Sequence, residues 1–156
     1  MSKIKILVMD VDGTLTDGKI YMGSNGEIMK AFNAKDGYGI AQILPKYNII
    51  PMIITGRSSE ITLNRAKELK ITHIYQGVTD KLATLKDIAE KLSVSSDEIA
   101  YIGDDLNDIE CIDYAGLTAC PNDAVGAITR YVDYICPSNG GDGAVRDFID
   151  YIVELL

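Results

Sequence analysis

The chain has 156 residues, 47% hydrophobic and 24% charged, which points to one ordinary globular domain over 1–156 and excludes a disordered or collagen-like chain. Fifteen Lys and Arg against 23 Asp and Glu give a net charge of −8, the wrong sign for a general nucleic-acid binder, which needs a basic face to displace counterions. The longest apolar run, Ile49 to Ile54, is broken by Pro51 and is far shorter than the ~20 residues of a membrane span; with no leader before Ile4, a cytoplasmic protein is expected.

Ile4 to Met9 (IKILVM) is a continuous apolar run, the pattern of a strand buried on both faces. Ile20 to Phe32 has two β-prone arms around Gly23-Ser24-Asn25-Gly26 and reads as a hairpin. Asp36 to Tyr47 is helical until Pro45 disturbs its last turn. Ile49 to Thr55 is a second buried strand. Ser58 or Ser59 then caps a helix running to about Leu69. Ile71 to Tyr75 is a third strand, and Asp80 caps a helix with Leu82, Leu85, Ile88, Ala89 and Leu92 on one face. Ile99 to Ile102 is a fourth strand, followed by a helix from Asn107 to Tyr114. Leu117 to Ala119, a short helix near Ala124 to Thr129, and Tyr134 to Ile135 continue the alternation. A last helix from Ala144 buries Val145, Phe148, Ile149, Ile152 and Val153. Strand alternating with helix predicts an α/β fold: a mostly parallel sheet with helices on both faces.

Ligands of open α/β sheets bind at the carboxyl ends of the strands. Those ends read Asp10-Val11-Asp12-Gly13-Thr14, Thr55-Gly56-Arg57 and Gly103-Asp104-Asp105-Leu106-Asn107-Asp108, with Lys81 opening the helix after the third strand. Clustered carboxylates repel and resist burial unless a hard divalent cation with oxygen ligands joins them, and Mg²⁺ uses one or two carboxylates with phosphate oxygens. Lys81 and Thr55 would face the phosphate. Asp10 can attack phosphorus, and Asp12, two residues on, can carry the proton. The cysteines Cys111, Cys120 and Cys136 lack metal-ligand spacing and read as small buried hydrophobes. His73, the only histidine, reads as structural.

In these motifs the chain resembles the haloacid-dehalogenase-superfamily phosphatases: DVDGT at Asp10–Thr14, then Thr55, Lys81 and the GDDxxD run ending at Asp108. More narrowly, the stretches DVDGTLTDGKIYMGSNGE, KAFNAKDGYGI, ITGR, YQGVTDK, YIGDDLND and GGDGAVRD are similar to 3-deoxy-D-manno-octulosonate 8-phosphate (KDO 8-phosphate) phosphatases. Sialic-acid-type nonulosonate 9-phosphate phosphatases share many of them. The resemblance implies a three-layer, Rossmann-like fold and a Mg²⁺-dependent phosphomonoesterase acting on a sugar-acid phosphate. It implies Asp10 as nucleophile and Asp12 as general acid/base, with Mg²⁺ on the Asp10 carboxylate, the Asp12 backbone carbonyl and Asp104. It further implies Thr55, Gly56 and Lys81 on the phosphoryl group, with Asp108 behind them orienting Lys81 or a water, and Asp105 beside it. Asn107 touches phosphate or substrate, or caps the following helix.

Only 40 residues separate Thr14 from Thr55, and 25 separate Thr55 from Lys81. The elements already assigned use up both intervals, so no cap domain is expected, and the hairpin is left beside the nucleophile loop. Capless relatives are typically homotetramers whose neighbouring subunits complete each site; Ile20, Tyr21, Met22, Ile28 and Met29 would supply the contact. Arg57 and Arg65 are the cations expected to meet the substrate carboxylate, with a surface ion pair the alternative for Arg65. Asp142 stands where octulosonate phosphatases often carry arginine. Two other readings remain: a nonulosonate 9-phosphate phosphatase, and a receiver-like domain that only accepts phosphate on aspartate. In a receiver, however, the phosphoacceptor sits on a middle strand, where this chain has Ile54-Thr55-Gly56.

Overall fold

The computed structural model describes residues 3–156, so the first two residues of the expected domain lie outside the described residues. In chain order they form β1 (Ile6–Met9), β2 (Tyr21–Gly23), β3 (Gly26–Met29), α1 (Ala34–Tyr38), β4 (Ile50–Ile54), α2 (Glu60–Glu68), β5 (His73–Tyr75) and α3 (Lys81–Leu92). They continue through β6 (Ile99–Ile102), α4 (Ile109–Tyr114), β7 (Leu117–Cys120), β8 (Tyr134–Ile135) and α5 (Ala144–Glu154).

Six of these strands make one sheet in the order β5-β4-β1-β6-β7-β8, every neighbouring pair parallel. The chain winds outward from β1 through β4 to β5, then crosses back to β6 on the other side of β1. That reversal opens a crevice at the carboxyl ends of β1, β4 and β6. β1 is buried on both faces because helices cover both. Leu7 and Met9 pack with Ile40, Leu44, Ala66, Phe148 and Ile149, beneath the helical segments around α1, α2 and α5. Ile6 and Val8 point the other way, onto Leu85, Ile88 and Ala89 of α3 and Cys111 and Ile112 of α4. Each such fully buried aliphatic side chain contributes roughly 1.5–3 kcal/mol of transfer free energy. The three cysteines are buried and unbridged. Burial pushes the Cys111 thiol up to about 12 and that of Cys120 to about 11, so neither is a nucleophile at neutral pH.

Pro51 sits inside β4, between two neighbouring strands. The Ile50 amide donates to the Lys5 carbonyl on the β1 side, so position 51 faces the opposite side, where β5 begins pairing only at Met52. Its missing donor is therefore not needed.

The helix expected over Asp36 to Tyr47 differs from expectation. It starts earlier, with the Asn33 side chain accepting from the Lys35 amide, and α1 lasts five residues. The path then widens to a π-helical stretch, Gly39–Ile43, and tightens to a 3-10 turn, Leu44–Tyr47. Pro45 has no amide to return to the turn before it, so regular α spacing cannot pass through it. The helix expected near Ala124 to Thr129 is a 3-10 turn, Gly126–Arg130. The Ser59 and Asp80 side chains cap α2 and α3, accepting from the amides of Thr62 and Ala83. The hairpin lies where expected, as the antiparallel pair β2–β3, separate from the main sheet. Among the described residues no helix is long and apolar enough to cross a membrane.

Asp36 ties α1 to α5 by accepting from the Arg146 amide at 2.9 Å. Its other oxygen is buried without a partner. Burial, opposed by that amide and reinforced by Asp147, lifts the carboxyl from 3.8 to about 6. The folded state thus binds this proton more tightly than the unfolded chain. The resulting stability is complete below about pH 4 and is lost as pH rises through about 6. Asp36→Asn keeps the acceptor for Arg146 and carries no charge. It is expected to be more stable than the parent above pH 7, by on the order of 2–3 kcal/mol, with the gap closing toward pH 4. Urea unfolding at a series of pH values measures this, and a gap independent of pH would refute it.

Candidate active site

Register fixes where the polar strand ends meet. Met9 pairs with Ile53 on one side and Ile102 on the other, so Asp10 emerges one step before Thr55 and Asp104 on the flanking strands. Together with Asp12, Gly56, Arg57, Asp105 and Asn107 they line an open cleft of about 200 Å³. After β1 the chain folds tightly over one carbonyl: Val11 O accepts from the amides of Thr14, Leu15 and Thr16 at 3.1, 2.9 and 3.1 Å. Gly13, at φ +92°, is required twice over, since a Cβ there would overlap the Asp104 carboxylate. A Cβ on Gly140, in the loop before α5, would likewise overlap the Gly13 carbonyl. The two loops therefore touch backbone to backbone, and the Gly141 amide donates to Thr14 O at 3.1 Å.

Behind the cleft lies a buried charge network. Lys81, at the first turn of α3, places Nζ 3.1 Å from Asp10 Oδ1 and 2.9 Å from Asp108 Oδ1. Asp108 is wholly buried and saturated with donors. Its Oδ1 takes Lys81 and the Tyr101 hydroxyl at 2.6 Å. Its Oδ2 takes the amides of Asp104 and Asp105 at 3.0 and 3.3 Å. Burial would lower the Lys81 ammonium, but Asp10 and Asp108 outweigh it and hold the group above its ordinary value. Burial and Asp108's charge keep Tyr101 protonated, as a donor.

Asp10, Asp104 and Asp108 each offer a carboxylate oxygen within 4.8 Å of the others. Burial, then Asp108, raises Asp10 against the pull of Lys81. Burial, then Asp10, lifts Asp104 to about 8, although the Thr14 hydroxyl donates to it at 3.0 Å. Two acids crowded until one keeps its proton are the donor set a hard divalent cation fits, since the cation replaces that proton. With Asp108 already filled by protein donors, Asp10 and Asp104 are the carboxylates free to take it.

The cleft thus gathers Asp10, Asp12, Asp104, Thr55, Gly56, Arg57, Asn107 and Asp105, with Lys81 and Asp108 behind it. Asp105 caps the 3-10 turn Leu106–Asp108, its Oδ1 2.7 Å from the Leu106 amide. Arg57 is half exposed, with Nη2 3.4 Å from Glu27 and Nε 3.9 Å from Asp12. Arg65 does not line this cleft. Its guanidinium lies over the Phe32 ring, donates to Asn33 O and pairs with Glu68, beside a cavity of about 10 Å³. Asp142 is exposed, its amide donating to Asn139 O, and Arg146 pairs with Asp150. The sequence reading gave no role to Thr14, Tyr101, Glu27 or Lys30. Lys30 lies buried between Asp12, at 2.5 Å, and Glu27, at 2.9 Å.

A family model described as haloacid dehalogenase-like hydrolase matches residues 69–149. The 3-deoxy-D-manno-octulosonate 8-phosphate phosphatase KdsC of Escherichia coli K12 is 44% identical over 150 residues, 96% of this chain and 79% of that protein. Two solved structures superpose along the same length. The octulosonate 8-phosphate phosphatase from Moraxella catarrhalis, in complex with magnesium, phosphate and KDO, has a TM-score of 0.92 at 44% identity, covering 97% of this chain and 86% of that one. The cobalt-bound enzyme from Haemophilus influenzae has a TM-score of 0.93 at 34% identity, covering 97% and 88%. The chain belongs to the 3-deoxy-D-manno-octulosonate 8-phosphate phosphatase family of haloacid dehalogenase-like hydrolases.

Proposed function

We propose that this chain, as one catalytic domain over residues 1–156, is a Mg²⁺-dependent phosphomonoesterase that hydrolyses KDO 8-phosphate to KDO and phosphate. Family membership favours this over a receiver-like domain, which would accept phosphate once and stop. The observation carrying the chemistry is the placement of Asp10 between the Lys81 ammonium at 3.1 Å and the Asp104 carboxyl, which offers an oxygen within 4.8 Å, in an open cleft.

The Asp10 carboxylate attacks phosphorus, the phosphorus–oxygen ester bond breaks, and the departing C8 oxygen takes a proton from Asp12. Asp12, now a carboxylate, then accepts a proton from the water that attacks the aspartyl-phosphate. Inorganic phosphate leaves and Asp10 is restored. Lys81, held by Asp108, stays positive throughout and stabilises the phosphoryl oxygens, while Thr55, Gly56 and Asn107 orient them. When bound on Asp10, Asp104 and the Asp12 carbonyl, Mg²⁺ supplies the positive charge that lets two carboxylates and a phosphoryl group share one site. Arg57, half exposed at the rim, can release Glu27 and pair with the sugar-acid carboxylate.

A cytoplasmic homotetramer belongs to the same reading, supported by the exposed Ile20, Met22, Ile28 and Met29 on the hairpin. Phosphate release with Mg²⁺ is the test, across KDO 8-phosphate, nonulosonate 9-phosphates, hexose phosphates and an aryl phosphate. We expect kcat/KM for KDO 8-phosphate to exceed the others by at least ~10-fold; against the hexose and aryl phosphates, which lack the acid group, a single carboxylate contact can supply that discrimination. Chelation should silence the enzyme and added Mg²⁺ restore it. Preference for a 9-phosphate would overturn the substrate, and full activity in chelator would overturn the metal.

A further inference from the structure

The hairpin does more than flank the cleft. Lys30, immediately after β3, is buried, with its side chain only 2% exposed. A buried ammonium is costly unless paired, and this one is paired twice: with Asp12 Oδ1 and with Glu27 Oε2. Glu27 is anchored in turn. Its Oε1 accepts from the Ser59 hydroxyl at 2.6 Å, and Ser59 caps α2. The Ser59 amide donates to Gln76 Oε1 at 2.9 Å, fixing the loop after β4 to the end of β5. A continuous chain of short polar contacts thus runs from the sheet rim through Ser59, Glu27 and Lys30 to one oxygen of Asp12. Among the described residues the second Asp12 oxygen meets the Arg57 guanidinium at the longer distance of 3.9 Å, and Asp12 lines the cleft.

We infer that Lys30 is a positioning residue: it pins Asp12 Oδ1 so that Oδ2 is the oxygen presented to the leaving group. This rests on the reading of Asp12 as general acid/base. It adds that the hairpin sets the aim of that acid, through a side chain that touches neither phosphate nor substrate. A carboxyl free to rotate about its χ angles spends much of its time out of line, and small misplacement of a catalytic group costs on the order of 100-fold.

Leaving-group dependence reads this directly. An alkyl phosphate needs a proton on its departing oxygen, whereas p-nitrophenolate leaves without one. For Lys30→Met, kcat/KM should fall about 100-fold on KDO 8-phosphate and less than about 10-fold on p-nitrophenyl phosphate. Both rates are taken from one preparation, so any loss of folded protein cancels in their ratio. Should the single variant fail to fold, Glu27→Gln/Lys30→Met, which also removes the Glu27 charge that Lys30 neutralised, gives the same ratio. Equal losses on both substrates would overturn the inference, since a merely structural lysine lowers both alike. Asp12→Asn is run alongside. If it lacks the selective loss on the alkyl ester, the acid/base reading has failed and Lys30's role falls with it. If Asp12→Asn shows the selective loss and Lys30→Met does not, only the positioning role is refuted.

Discussion

Asp10→Asn is expected to stop phosphate release, with kcat at least ~10⁴-fold below the parent, while the protein stays folded. The amide is nearly isosteric with the carboxylate but is not a nucleophile, so no aspartyl-phosphate can form. The fold should tolerate the change because Asp10 is one of three crowded carboxylates. Burial and Asp108 already penalise its charge, and Lys81 keeps Asp108 at 2.9 Å. The offsetting loss is the Lys81 contact at 3.1 Å, so the melting temperature should move by no more than a few degrees. Phosphate release and thermal unfolding on one preparation decide it. Appreciable turnover by folded, Mg²⁺-replete protein would remove Asp10 from the nucleophile's place.

Asp108→Ala should do the reverse, damaging stability as severely as activity. Asp108 is fully buried and satisfies the Lys81 ammonium, the Tyr101 hydroxyl and two backbone amides at once. Removing it takes the acceptor from the Tyr101 hydroxyl and two backbone amides and leaves Lys81 to Asp10 alone, at a cost of about 3–5 kcal/mol. For a chain of this length that lowers the melting temperature by roughly 10 °C. Activity should fall with it, because Lys81 is then held only by Asp10 and the loop carrying Asp104 loses its internal brace. Asp108→Asn, which keeps an acceptor oxygen, should lie between. Denaturant unfolding beside phosphate release measures both, and an Asp108→Ala protein as stable as the parent would mean that the stranded donors find other partners.

Much of this is legible in the sequence. The apolar runs at Ile4–Met9, Ile49–Thr55 and Ile99–Ile102 located the three central strands, and the polar residues after them are those that line the cleft. Strand alternation carries this information because a parallel sheet puts every strand's carboxyl end on one rim. Distance along a helix is less readable. Arg65 follows the α2 cap by six positions, and at ~1.5 Å per residue the helix has carried it about 9 Å away from the rim, into Phe32 and Asn33. The Lys30–Glu27 pair was hidden for another reason. In a hairpin, Glu-x-x-Lys looks like a solvated surface pair, and nothing local says that the hairpin folds down onto the Asp12 loop. Tyr101 read simply as a strand residue, since only its hydroxyl, at the far end of the ring, reaches Asp108.

The contact between Gly13 and Gly140 has a consequence for how the enzyme comes into being. The loop carrying Asp10 and Asp12 is made well over a hundred residues before the backbone it rests on. On the ribosome, Asp10, Thr55 and Lys81 can all have emerged, and β1 can have paired with β4, while nothing yet braces the loop. Catalytic competence should therefore arrive abruptly, only once Gly140 has emerged. A nascent chain stalled before residue 140 would carry every residue that lines the cleft and still be inert.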